Sequence, residues 1–106
     1  MNIQERGDIL SISGLTELGA SNSDTFRNRV RAALPRSVKA IEIDLSQISF
    51  VDSYGLGALV AVHKTATQRN NTVALRLLNP TPPVQQIFEL TRLHRIFEIV
   101  KREPDA

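Results

Sequence analysis

The stretch Ile48-Ser49-Phe50-Val51-Asp52-Ser53-Tyr54-Gly55-Leu56-Gly57-Ala58-Leu59-Val60 decides how this chain is read. Just before it, Ala40-Ile41-Glu42-Ile43-Asp44-Leu45 alternates apolar and polar residues, the period of a strand. After it, the run from Leu56 to Val62 is apolar, and the chain turns polar from His63 to Asn71 without a proline. That pattern predicts a helix whose first half is buried and whose second half meets water. Between strand and helix lie Asp52 and Ser53, both able to cap a helix, followed by Gly55 and Gly57. A helix start leaves backbone N–H groups unpaired at a positive dipole end, so such a turn can hold an anion or carry a phosphate. The turn is therefore a ligand site, a catalytic site or a switch, and the rest of the chain has to discriminate among them.

At 106 residues the chain has the length of one small domain with a single core. A hydrophobic fraction of 42% and a charged fraction of 23% are those of a globular protein in water. No apolar run approaches the roughly 20 residues that span a bilayer, and the N-terminus lacks a basic-then-apolar signal pattern, so no membrane insertion is expected. The absence of cysteine excludes disulfides and thiolate chemistry and agrees with a cytoplasmic location. The net charge is only +2. Arg27, Arg29, Arg31 and Arg36 cluster, but no aromatic residues interleave with them, which favours a solvated helix face over direct nucleic-acid binding.

Outward from the central stretch, Asn2 to Arg6 and Ile9 to Ser13 read as a hairpin turning at Gly7-Asp8, with Ile3, Leu10 and Ile12 inward. Gly14 to Ser21 reads as a loop without apolar periodicity. Asn22 or Ser23 then caps a helix running to about Leu34 and stopped by Pro35, with Phe26, Val30, Ala33 and Leu34 on one face. Asn70-Asn71 turns into a strand from Thr72 to Leu78 with Val73, Leu75 and Leu77 inward. Thr81 followed by Pro82-Pro83 starts a third helix, in which Val84, Ile87, Phe88 and Thr91 are helix-spaced and Leu90 broadens the stripe. Ile96 to Val100 is a last strand, and Lys101 to Ala106 is expected to fray, leaving residues 1–100 as the ordered part of one domain. The order β-β-α-β-α-β-α-β implies an α/β fold with a mostly parallel, mixed sheet. In such sheets, sites sit beyond the carboxyl ends of strands, where both the Asp52 turn and the Gly14–Ser21 loop fall.

Three chemistries fit poorly. His63 and His94 are far apart and have no carboxylate at ligand spacing, so no metal or other cofactor is expected. Ser53 stands at a strand-to-helix turn, but its surroundings are not Gly-x-Ser-x-Gly and His63 lies two to three turns along the helix, so no catalytic residue is assigned. Gly55-x-Gly57 lacks the lysine and the spacing of a phosphate loop. Gly57 reads as a packing glycine, while Gly55 reads equally as packing or as part of a site. What remains is a protein-binding surface with a hydroxyl at a helix start. Phosphorylation there would add up to two negative charges beside Asp52 and penalise a partner fitted to the uncharged turn.

Phe50-Val51-Asp52-Ser53-Tyr54-Gly55-Leu56-Gly57-Ala58-Leu59 resembles the signature of STAS domains, specifically of bacterial anti-sigma factor antagonists, which reads Asp-Ser-Ser/Thr-Gly-Leu-Gly. The resemblance spans nearly the whole chain: Asn22 to Phe26 is similar to the start of the family's first helix, Asp44-Leu45 with Phe50 to its strand before the signature, and Val84 to Leu93 with Phe97 to its third helix and closing segment. It implies the STAS fold. It also implies a non-enzymatic protein that binds an anti-sigma factor, often a serine kinase, and so frees a sigma factor for transcription. In that scheme the kinase phosphorylates the second hydroxyl residue of the signature and a phosphatase reverses the step.

Here the family's phosphorylated position holds Tyr54. A phenolic oxygen lies well beyond the reach of a serine hydroxyl, which leaves Ser53 as the phosphorylation candidate or as a simple cap. The preceding loop carries Leu15-Thr16-Glu17 where many members have an Asp, so Glu17 is the substitute acid. Asp52, Ser53, Tyr54, Gly55, Leu56 and Glu17 are the expected partner-binding residues, with Tyr54 as an aromatic anchor. The resemblance also admits a second role, as a STAS subunit of a lipid-transport ABC system.

Overall fold

A mixed five-stranded sheet carries three helices in the computed structural model, which describes residues 1–102. In chain order the elements are β1 (Asn2–Arg6), β2 (Ile9–Ser13), β3 (Glu17–Leu18), α1 (Ser23–Ala33), β4 (Ala40–Asp44), β5 (Phe50–Val51), α2 (Ser53–Arg69), β6 (Ala74–Leu78), α3 (Pro82–Leu90) and β7 (Glu98–Val100), with a 3-10 turn at Leu93–Arg95 before β7. The main sheet runs β1-β2-β4-β6-β7. Only β1 and β2 pair antiparallel, through a turn in which Gly7 adopts φ 63°; the other pairings are parallel. The long alternating patterns thus produce the expected α/β order.

Side-chain alternation divides the sheet into two unlike faces. Leu10 and Ile12 of β2, Ile41 and Ile43 of β4, and Leu75 and Leu77 of β6 share one buried face. Phe26 and Val30 of α1, Ala58, Leu59, Val62 and Ala66 of α2, and Val84 and Phe88 of α3 join the same core cluster. Each fully buried Val, Leu, Ile or Phe among them is worth about 1.5–3 kcal/mol relative to exposure. Phe97 closes the core in T-shaped contacts with Phe88 (ring centroids 6.4 Å) and with His63 (5.8 Å), so His63 packs against a ring as a structural side chain. The opposite face carries Ser11, Glu42, Arg76 and Glu98 in one cross-strand row.

Four expectations are corrected. The Gly14–Ser21 loop contains β3, which pairs in parallel with β5 as a separate two-stranded sheet and buries Leu15 and Leu18. Helix α2 is not buried in one half and wet in the other. Its buried positions, Gly55, Ala58, Leu59, Val62 and Ala66, form a stripe along its length because the whole helix lies on the sheet. Leu90 does not broaden the α3 stripe: it is 77% exposed, since α3 turns away at Thr91 and Arg92 takes a left-handed conformation (φ 62°). Arg102, within the segment expected to fray, is tied down. Its N–H donates to Asn79 Oδ1 at 2.7 Å, and its guanidinium grips both oxygens of Glu42 at 3.1 and 2.7 Å. The remainder of the expected tail, residues 103–106, lies outside the described residues.

Candidate functional site

The turn at Asp52 is built from two segments that meet just beyond the carboxyl ends of β3 and β5. The register sets Glu17 opposite Phe50 and Leu18 opposite Val51, and this pairing brings Glu17 to the Asp52 turn. The Asp52 carboxylate joins the two segments. One oxygen accepts from Gly55 N–H at 3.0 Å and caps α2; the other accepts from Ala20 N–H at 3.1 Å and holds the preceding loop against the helix start. The Gly55 N–H is the main reason the Asp52 carboxyl is held below the usual carboxylate range. Partial burial opposes it, and the N–H groups of Ala20 and Tyr54 add to the lowering.

Two glycines let the segments close. A Cβ on Gly55 would run into the Leu18 carbonyl, with the carbonyl carbon 2.7 Å away, so of the two readings open for Gly55 the packing one holds. A Cβ on Gly19 would stand 2.8 Å from Asp52 Oδ2 and 3.1 Å from the Phe50 ring. Gly57, read as a packing glycine, has nothing within 4 Å of an added Cβ, which corrects that expectation.

Asn22 starts α1, yet its side chain does not cap it. Its Oδ1 accepts from Gly19 N–H at 2.9 Å and its Nδ2 donates to the Glu17 carbonyl at 2.8 Å, so it braces the loop. The Glu17 carboxylate accepts from Ser21 Oγ at 2.7 Å and remains exposed. Ser53 and Tyr54 open α2 and face outward, Tyr54 at 65% exposure. Phe50 stands beside them at 53%, a member of this surface that the sequence reading had not marked. Its signal was a large aromatic residue next to a polar turn, which periodicity alone assigns to a core. Leu56 is half-buried against the core, and Gly55 is buried, so both support the surface from beneath.

The surface is thus a two-segment platform bearing the Phe50 and Tyr54 rings, the Ser53 hydroxyl and the outward Glu17 carboxylate. His63 and His94 are not part of it; His94 Nδ1 lies 3.2 Å from the Phe88 carbonyl. Among the described residues no group of three or more His, Cys, Asp or Glu side chains is placed to hold a metal ion, and no helix is long and apolar enough to cross a membrane.

The sequence model of the STAS domain matches residues 1–106. This chain belongs to the STAS domain family. Among curated relatives of this STAS domain, the anti-sigma F factor antagonist of Paenibacillus polymyxa is 30% identical over 92% of the chain and 81% of the relative. The anti-sigma-B factor antagonist of Listeria monocytogenes is 29% identical over 93% of the chain and 86% of the relative. Among solved structures, the anti-sigma factor antagonist SpoIIAA in its unphosphorylated form superposes with a TM-score of 0.79 at 20% identity, covering 96% of this chain and 87% of that one. The mixed sheet with three helices is the SpoIIAA-like STAS fold.

Proposed function

We propose that this STAS domain is an anti-sigma factor antagonist acting in the cytoplasm: it binds an anti-sigma factor at the Asp52 turn and thereby controls sigma-dependent transcription. It acts by binding, without turnover. The observation that carries this reading is the platform itself. Asp52 spends both carboxylate oxygens holding two chain segments together, and the result presents Phe50, Tyr54 and the Glu17 carboxylate outward. The names of the relatives supply the partner class.

Tyr54 docks as an aromatic anchor, and binding does not depend on phosphorylation of its hydroxyl. Ser53, at the first helical position, is the remaining acceptor for a partner that is a serine kinase, with a phosphatase to reverse it. A phosphate on Ser53 would stand beside the Asp52 carboxylate, and their repulsion would oppose any partner fitted to the bare turn. Incubation with the cognate anti-sigma factor and ATP, followed by calorimetry and phosphosite mapping, tests the reading. Micromolar or tighter binding, weakened by Tyr54→Ala and without phosphate on Tyr54, is expected. No binding by the unmodified chain to any anti-sigma factor encoded beside it would overturn the proposal.

A further inference from the structure

The turn joining α3 to β7 leaves two large aliphatic side chains uncovered. Leu90 is 77% exposed and Ile96 48%, and five residues of chain lie between them. Glu89, Arg92 and Arg95 flank them in the chain, and none makes an ion pair among the described residues. Glu89 and Arg92 are three apart, a spacing that pairs on a regular helix. Arg92 is instead thrown off by its left-handed backbone (φ 62°). That is the position after a helix cap where glycine is the usual residue, so arginine there is strained. A shallow groove lined by Gln85, Glu89, His94, Ile99 and Lys101 runs alongside, next to β7, the last strand of the sheet.

We infer that this turn is the contact face of a homodimer of the chain. The mixture of charges selects the occupant. An anionic bilayer or an acidic protein would meet Arg92 and Arg95 favourably but would be opposed by Glu89 amid them. A second copy related by a two-fold axis offers acid to base and base to acid at once while covering both pairs of aliphatic side chains. The strands β4, β6 and β7 are parallel, so the α3–β7 turn lies at their amino ends and the Asp52 turn beyond the carboxyl ends. The dimer therefore leaves both Asp52 platforms free and presents two docking surfaces in one particle.

Sedimentation equilibrium on the full chain over a wide concentration range tests this. A monomer–dimer equilibrium is expected, weakened roughly tenfold or more by the Leu90→Ser/Ile96→Ser pair with the circular dichroism unchanged. Glu89→Arg and Arg95→Glu each weaken self-association, and mixing the two variants restores a dimer, as the two-fold arrangement requires. Arg92→Gly keeps or raises the thermal midpoint by relieving the left-handed strain, yet weakens the dimer. Tyr54→Ala leaves the dimer unchanged, which separates this inference from anti-sigma factor binding. A chain that stays monomeric at every concentration would overturn the proposal, as would a dimer indifferent to the serine pair. So would a monomer that co-sediments with phosphatidylglycerol vesicles through this turn.

Discussion

Asp52 and Glu42 are two carboxylates, each held by two partners, but the partners differ in kind. Asp52 accepts from backbone N–H groups of Gly55 and Ala20. Its bonds therefore fix a conformation: where α2 begins and where the loop before α1 lies. Glu42, only 7% exposed on the open face of the sheet, accepts from side chains instead, both nitrogens of the Arg102 fork and Arg76, which also bonds Glu98 at 3.1 Å. Its bonds fix the placement of elements, clasping β4, β6 and the chain leaving β7. Arg102 is the main cause of a Glu42 carboxyl lowered below the usual range, with burial opposing and Arg76 assisting. The lesson is that the Asp52 end is held by interactions that tolerate no change of backbone, and the sheet face by interactions that tolerate rearrangement of long side chains.

The strongest test of that contrast removes the close approach under the platform. Gly55→Ala should cost about 3 kcal/mol in urea unfolding, because the new Cβ must displace the Leu18 backbone rather than a flexible side chain. Gly57→Ala, two residues along the same helix and facing open space, should stabilise by about 0.5–1 kcal/mol. Equal effects from the two would break the claim that α2 and Leu18 are locked together.

Glu42→Ala should cost about 1–2 kcal/mol in the same experiment, less than a fully enclosed ion pair would, since both guanidiniums reach water. Binding at the Asp52 turn should be unchanged by it. A matching loss of partner affinity would merge the two regions into one.

Acid should act on both carboxylates with the same sign. A carboxyl whose folded value is lowered contributes its full stabilisation above its unfolded value, near 4, and loses it as pH falls through the folded value. Amide exchange at Ala20 and Gly55 should therefore be flat from neutral pH to about 5 and rise below about 4 after correction for intrinsic rates. Asp52→Asn retains one acceptor for the cap while losing the other, so it should release Ala20 at neutral pH and leave Gly55 protected.

The smallest effect on stability belongs to Tyr54→Ala, within about 0.5 kcal/mol, because the ring is exposed and packs against nothing in the core. Partner affinity should nonetheless fall at least roughly tenfold by calorimetry, the signature of a docking anchor.

Much of the fold was legible because long elements write their period into the sequence. Five-residue strands alternate, α1 repeats Phe26 and Val30 on one face, and Asp52 announces the start of α2. The site was legible as a location for the same reason, since a capped helix start after a strand can be read locally. Short elements write nothing: β3 and β5 have two residues each, too few for any period, and they exist only because their edges find each other. Phe50 lies in that pairing, opposite Glu17, and is exposed.

The sequence by itself therefore determined the order of elements, the family signature and the cap, because each is set by neighbours along the chain. Tertiary structure alone decided which glycine was indispensable, what Asp52 does with its second oxygen and why Glu42 can be buried. Those answers lie with Leu18, with Ala20 at 32 residues' distance in sequence, and with Arg102 at 60. The physical reason is that steric contact and hydrogen bonding act over a few ångströms of space, and only folding brings such distant residues within that range.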